Sequence, residues 1–169
     1  MSTIWIQGAG EQASGIAWRL VKAGYRVVAA DLPRPTTVRR LVSFSDAVFE
    51  GQARVEGVDG ILVEAPGAQA LPGVVSVLVD PNAAAMASVG PAAVIDARLT
   101  KRTAEPLPHR GAPLIGIGPG FVVGQHADLV VETHRTARPG LVIREGAALA
   151  PTGIPGNVGG ETLRRVLRA

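Results

Sequence analysis

The stretch IWIQGAGEQASGIAWRLVKAGYRVVAADLPRP, residues 4–35, decides the fold. An apolar run at 4–7 leads into Gly8-Ala9-Gly10-Glu11-Gln12-Ala13, a helical pattern follows, and a second apolar run ends at Asp31. That order is the layout of a dinucleotide-binding βαβ unit, G-x-G-x-x-G/A after a strand with an acid about 20 residues on. Gly8 lets the chain turn sharply off the strand, because glycine tolerates positive φ. Gly10 lets backbone approach a pyrophosphate with no Cβ in the way, and Ala13 lets helix and strand pack closely. Ala9 and Gln12 complete the turn, and the helix start offers free N–H groups and a positive dipole end to a phosphate. Ala13, Ile16, Ala17, Leu20 and Val21 form one apolar face at helical spacing, and Gly24 follows as a helix stop. Asp31, at the end of the second strand, is placed for a ribose diol. Glu11 works against a phosphate: its charge suits the helix dipole but repels a second anion.

The 169 residues fit one domain, with a Rossmann-like unit at 1–50, further strands at 51–150 and a Gly- and Pro-rich tail at 151–169. Apolar residues make up 47% of the chain but only six are aromatic, so the core is built of Val, Ile, Leu and Ala, as buried parallel strands prefer. The absence of cysteine excludes disulfides and thiolate metal sites, and fits a cytoplasmic location. No apolar run reaches membrane-spanning length and the N-terminus enters a strand at once, so neither a membrane span nor a signal peptide is expected. The net charge of +3 is small and aromatics are scarce, which speaks against nucleic-acid binding.

Beyond the first unit, Thr36 or Thr37 is expected to cap a helix through Val38, Leu41 and Val42, continued by Phe44, Ala47 and Val48. Residues 52–65 read as a hairpin with turn residues at Gly57 and Asp59-Gly60. Strands are expected at 74–79, 92–97, 114–117, 127–133 and 141–143, and Asn82 is expected to cap a short helix ending before Gly90. Residues 161–169 suit a terminal helical turn or two. The fold class is therefore α/β: a Rossmann-like βαβ unit in a mixed, mostly parallel sheet with helices on its faces.

Familiar catalytic devices are missing. There is no cysteine nucleophile, no G-x-S-x-G elbow and no P-loop, and His109, His126 and His134 have no zinc spacing; no catalytic or metal-binding residue is assigned. Polar residues gather instead where strands end, which is where open α/β sheets bind ligands. Asp96, Arg98, Lys101 and Arg102 follow one strand, a glycine loop containing Gly118, Gly120 and Phe121 follows the next, and Glu132, Thr133 and Arg135 end a third. Arg98 and Lys101 suit a phosphate or carboxylate, and the loop suits an anion held by backbone N–H groups. Asp96 reads either as part of that site or as a buried acid paired with Arg98 or Lys101. His126 reads as structural. Of Arg39 and Arg40, one reads as solvated and the other as reaching back toward the Asp31 loop.

The chain resembles the YqeB family through GAGEQASGIAWRLVKAGYRVVAADLPRPTTVRR (8–40), FSDAVFEG (44–51), VSVLVDP (75–81), VIDARLTKR (94–102), APLIGIGPGF (112–121), HADLVVET (126–133), GLVIREG (140–146), PTGIPGNVGG (151–160) and RVLRA (165–169). The resemblance implies a Rossmann-like fold and a maturation role for a selenium-dependent molybdenum hydroxylase, whose apoenzyme would be the partner. The implied ligand is a molybdopterin-type cofactor, which would suit both the glycine turn and the basic strand ends. Departures from the family pattern are Glu11-Gln12 in place of Asp-Leu, and Thr136-Ala137 in place of Gly-His after Arg135. Family members also continue into a small β-rich module that is absent here. The alternatives are an NAD(P)-dependent oxidoreductase, in which Asp31 would favour NAD, and a non-catalytic scaffold with a vestigial Rossmann site. A homo-oligomer is left open.

Overall fold

In the computed structural model, which describes residues 1–64, 70–102, 105–108, 111–154, 156–157 and 159–161, nine strands form one sheet. The strands are β1 (Thr3–Gln7), β2 (Arg26–Asp31), β3 (Gln52–Val55), β4 (Val58–Val63), β5 (Val75–Val79), β6 (Ala93–Asp96), β7 (Leu114–Ile117), β8 (Leu129–Val131) and β9 (Val142–Ile143). Their spatial order is β3-β4-β5-β2-β1-β6-β7-β8-β9. The seven inner strands, β4 to β8 in space, are all parallel; β3 and β9 run antiparallel at the two edges. The order β5-β2-β1-β6-β7-β8 is that of a doubly wound dinucleotide-binding sheet, and it reverses between β1 and β6. Crevices for ligands open at such a reversal, beyond the carboxyl ends of the strands.

Alternation along each strand divides the core in two. Ile4, Ile6, Val27, Ala29, Val75 and Val77 pack under helix α1 (Glu11–Lys22) on one face. Trp5, Val28, Leu78, Val94, Leu114 and Val130 pack on the other. Small α1 residues make close approach possible: Ala13 and Ala17 are fully buried against the sheet. The helix ends as the sequence indicates, with Ala23 as C-cap and Gly24 left-handed at φ +88°.

Helices are scarce elsewhere. Besides α1 there are only the four-residue α2 (Ala47–Glu50) and α3 (Met86–Val89) among the described residues. The second face is covered mainly by loops, fastened by single side chains. Gln7 accepts from Trp5 Nε1 at 2.9 Å and donates to the Asp80 carbonyl at 2.9 Å. His126 Nδ1 accepts from the Val122 amide at 3.1 Å, the structural role its position suggests. Phe121 inserts over Gly116, where a Cβ would lie 2.4 Å from the ring.

Three local expectations change. The helix through Val38, Leu41 and Val42 is replaced by one 3-10 turn, Arg40–Val42, with no side-chain cap and with Val38 and Leu41 fully exposed. A helix there had no apolar surface to cover, and propensity alone does not hold one turn. The hairpin turns at Glu56-Gly57, both left-handed (φ +46° and +78°), while Asp59-Gly60 lies inside β4. Packing overrides the Asp-Gly signal: a Cβ at Gly60 would sit 2.6 Å from the buried Phe44 ring. Asp80, not Asn82, satisfies the amides before α3, accepting from Ala84 at 2.9 Å and Ala85 at 2.8 Å. The terminal helical turns expected at 161–169 lie, apart from Glu161, outside the described residues.

Glycines of opposite effect test this packing. A Cβ at Gly15, in the middle of α1, meets nothing within 4 Å, so Gly15→Ala is expected to raise stability by about 0.5–1 kcal/mol. Gly60→Ala must displace Phe44 and is expected to lose roughly 1–3 kcal/mol. Urea unfolding midpoints of the two variants against the parent chain check both.

Candidate functional site

The turn between β1 and α1 is built around the backbone of one residue. Gly8 sits at φ +106°, and a Cβ there would lie 2.9 Å from the Ala97 carbonyl oxygen, so both conformation and space demand glycine. The next residue, Ala9, donates its N–H to Asp31 Oδ2 at 3.0 Å. Its carbonyl accepts from Ser14 Oγ at 2.9 Å, Ser43 Oγ at 2.8 Å and the Ser45 amide at 2.9 Å. Gly10 is different: its φ of −67° suits any residue, and a Cβ would meet only Thr37 Oγ1 at 3.3 Å. Glycine at this position is thus not required by the fold itself. Gly10 is the N-cap of α1 and supplies no side-chain cap, so the first amides of the helix face the crevice.

Two cavities flank that helix start. The first, about 440 Å³, is lined by Gly8, Gly10, Glu11, Gln12, Asp31, Thr37 and Arg98 among others. The second, about 430 Å³, lies on the β6–β8 side and is lined by Lys101, Pro119, Thr133, Arg135 and the 151–154 segment. Gln12 and Leu99 line both, so the cavities adjoin at the helix N-terminus with these two residues between them.

The charged residues divide between the two. Asp31 accepts from Ala9 and from the Leu32 amide at 2.8 Å; burial pushes its carboxyl above the ordinary aspartate value, against the pull of those two amides. Glu11 is paired with Arg39, whose guanidinium and backbone N–H both donate to it. The Arg39 hydrogen bond holds Glu11 below the usual glutamate value, and Arg39 offsets the charge that Glu11 puts at the helix start. Neither arginine of the Arg39-Arg40 pair is unpartnered: Arg40 binds Asp46 and Glu50 and lies 4.7 Å over the Phe49 ring.

Other sequence-selected residues serve the frame. Arg98 turns back on the buried Asp96, its Nε 3.0 and 3.1 Å from the two carboxylate oxygens, and also donates to the Glu105 carbonyl at 2.8 Å. Asp96 is therefore the buried, paired acid, and Arg98 borders the first cavity with its guanidinium engaged. Phe121 is core. Gly118 (φ +78°) and Gly120 (φ +106°) allow tight loop contacts: added Cβ atoms would lie 2.7 Å from Thr133 Oγ1 and 2.3 Å from the Arg102 carbonyl oxygen. Glu132 is buried and accepts from the amides of Thr133 (2.8 Å), His134 (2.7 Å) and Leu149 (2.9 Å). Lys101 and Arg135 are the basic candidates that line a cavity with no carboxylate partner among the described residues. Sequence reasoning missed Ser14, Ser43 and Ser45, whose role is visible only once residues 43–45 fold back on the glycine turn. It also gave no function to Thr37 or Leu99. Among the described residues no group of three or more His, Asp or Glu is placed to hold a metal ion, and no helix is long and apolar enough to cross a membrane.

The class defined by fold and crevice is a doubly wound α/β protein with a dinucleotide-type turn. The chain is 40% identical over 168 residues to an uncharacterized protein, YqeB, of Escherichia coli strain K12, and that alignment covers 97% of the chain. This supports the YqeB family. The chain spans about a third (31%) of that relative's length. No family model and no solved structure matches the chain.

Glu132 gives a pH-dependent prediction. Burial opposes its ionisation, yet the amides of Leu149, His134 and Thr133 outweigh that and leave its pKa below the ordinary value of 4.5. Its stabilisation is then complete above the unfolded-state pKa and lost as pH falls through the folded-state value. Glu132→Gln, which turns an NH₂ group toward backbone donors, is expected to cost roughly 1–3 kcal/mol at pH 7. The difference from the parent chain should shrink as pH falls below the carboxylate range in urea titrations.

Proposed function

We propose that this chain is an accessory protein that holds a phosphate-bearing cofactor of nucleotide or pterin type across the N-terminus of α1. The observation that carries this reading is the uncapped helix start behind a glycine turn, open to a cavity on each side. A phosphate there would accept from the first amides of α1, and Gly10 leaves the space a Cβ would take. Asp31 retains acceptor capacity for a ribose hydroxyl beside its two amide donors. Arg39, holding Glu11, removes the repulsion that Glu11 would otherwise exert on the phosphate. A molybdopterin-type cofactor, in its cytidine dinucleotide form, and NAD(P) both meet these demands. The YqeB resemblance speaks for the former, with a molybdenum hydroxylase apoenzyme as the proposed receiving partner.

The reading is tested by calorimetric titration of the chain with molybdopterin, its cytidine dinucleotide form, NAD and NADP. Binding of at least one is expected, and Gly10→Ala is expected to weaken it tenfold or more, roughly the loss of one charge-assisted hydrogen bond. That variant has an allowed backbone and should lose no more than about 1 kcal/mol of stability. Binding of none of the four overturns the proposal.

A further inference from the structure

The two cavities differ in charge, and the difference assigns them different ends of a ligand. The first contains two carboxylates, Glu11 and Asp31; its lining cation, Arg98, is engaged by Asp96, and Glu11 is paired with Arg39. The second is lined by Lys101 and Arg135 with no carboxylate among its described lining residues. Arg135 donates to the Ile154 carbonyl at 2.9 Å and Thr152 Oγ1 at 3.4 Å, neutral acceptors that leave its charge uncompensated. Glu132 lies behind the cavity wall, its oxygens taken by three amides. Hydroxyls of Thr133 and Thr152 and the Gln12 amide add neutral hydrogen-bonding groups.

Backbone conformation holds Lys101 at this place. Leu99 and Lys101 are both left-handed, at φ +53° and +61°, which is costly for residues other than glycine. The facing loop fixes them there: Gly118 packs beside Leu99 and Thr133, and Gly120 lies directly on the Arg102 backbone. The DARLTKR and GIGPGF segments thus pack together at one side of the cavity, with close glycine contacts setting the position of the lysine.

We propose that the second cavity is an anion site, which takes a carboxylate or phosphate at the far end of an elongated ligand whose ribosyl end lies at Asp31. The link to a ribosyl end rests on the nucleotide reading above; the anion site does not. Coulombic attraction to Lys101 and Arg135 provides the affinity, and the Thr133 and Thr152 hydroxyls provide direction.

The test uses the chain as it stands and inorganic pyrophosphate as probe, followed by backbone amide NMR. Pyrophosphate is expected to shift the amides of residues 133–135, with affinity about tenfold weaker in Lys101→Asn, since asparagine tolerates the left-handed backbone and removes the charge. Shifts that are absent, that fall only at residues 9–13, or that persist at equal affinity in Lys101→Asn overturn the anion site. A second arm compares NAD with nicotinic acid adenine dinucleotide, which differ by a carboxamide against a carboxylate. About tenfold tighter binding of the acid, lost in Lys101→Asn, is expected; equal affinity overturns the link between the anion site and the nucleotide. Failure of both dinucleotides to bind defeats the nucleotide half alone, and the pyrophosphate arm still decides the anion site.

Discussion

Much of this molecule depends on the backbone of a single residue, Ala9. Its N–H is held by Asp31 from the end of β2, and its carbonyl receives three donors, from α1 and from the segment after β2. Ser14 Oγ then accepts from the Phe44 amide at 2.8 Å, and Phe44 in turn fills the space that Gly60 vacates in β4. One glycine turn is thereby coupled to the first helix, the second strand and the edge hairpin. Buried polar groups that are fully satisfied rigidify what they join, whereas a half-satisfied set is costly. The turn is consequently held by the protein itself, and a ligand would meet it already formed.

The first βαβ unit was legible in the sequence because each residue type there answers a local need: Gly8 its positive φ, Ala13 and Ala17 their close packing, Gly24 the helix stop. Most buried strands were legible for a similar reason, since four to six consecutive apolar residues have few other fates in a domain of this size. The site was less legible. A charged residue after a strand looks the same in sequence whether it faces a cavity, as Lys101 does, or folds back on a buried acid, as Arg98 does. Gly118 and Gly120 look like an anion-binding loop, yet both serve backbone contacts with a neighbouring loop. Asp59-Gly60 misled because a turn signal is a local preference, and a phenylalanine sixteen positions earlier decides the matter through space.

The two glycines of the first motif differ in what the fold asks of them. Gly8 is needed by the fold, through its conformation and through the Ala97 carbonyl. Gly10 is not required by its φ, and the one close neighbour a Cβ would meet is the Thr37 hydroxyl at 3.3 Å. A small residue kept open toward a crevice, at the start of a helix without a side-chain cap, has a physical use only if something else comes close. Glu11 beside it, unfavourable on its own, is made tolerable by Arg39.

The loop-covered face of the sheet has a thermodynamic consequence. On the α1 side, one twelve-residue helix with a shared ladder of backbone bonds covers the core and opens as a unit. On the other side, the cover is a series of separate connections, each fastened by a side chain such as Gln7, Asp80, His126 or Glu132. Such a layer opens piece by piece, each segment with its own free energy below that of global unfolding. The wall of the second cavity is built mostly of such separate connections, whereas the first is backed by the glycine turn. A single elongated molecule spanning both would tie a part that breathes to a part that does not, and its arrival would be felt as protection against hydrogen exchange well beyond the atoms it touches.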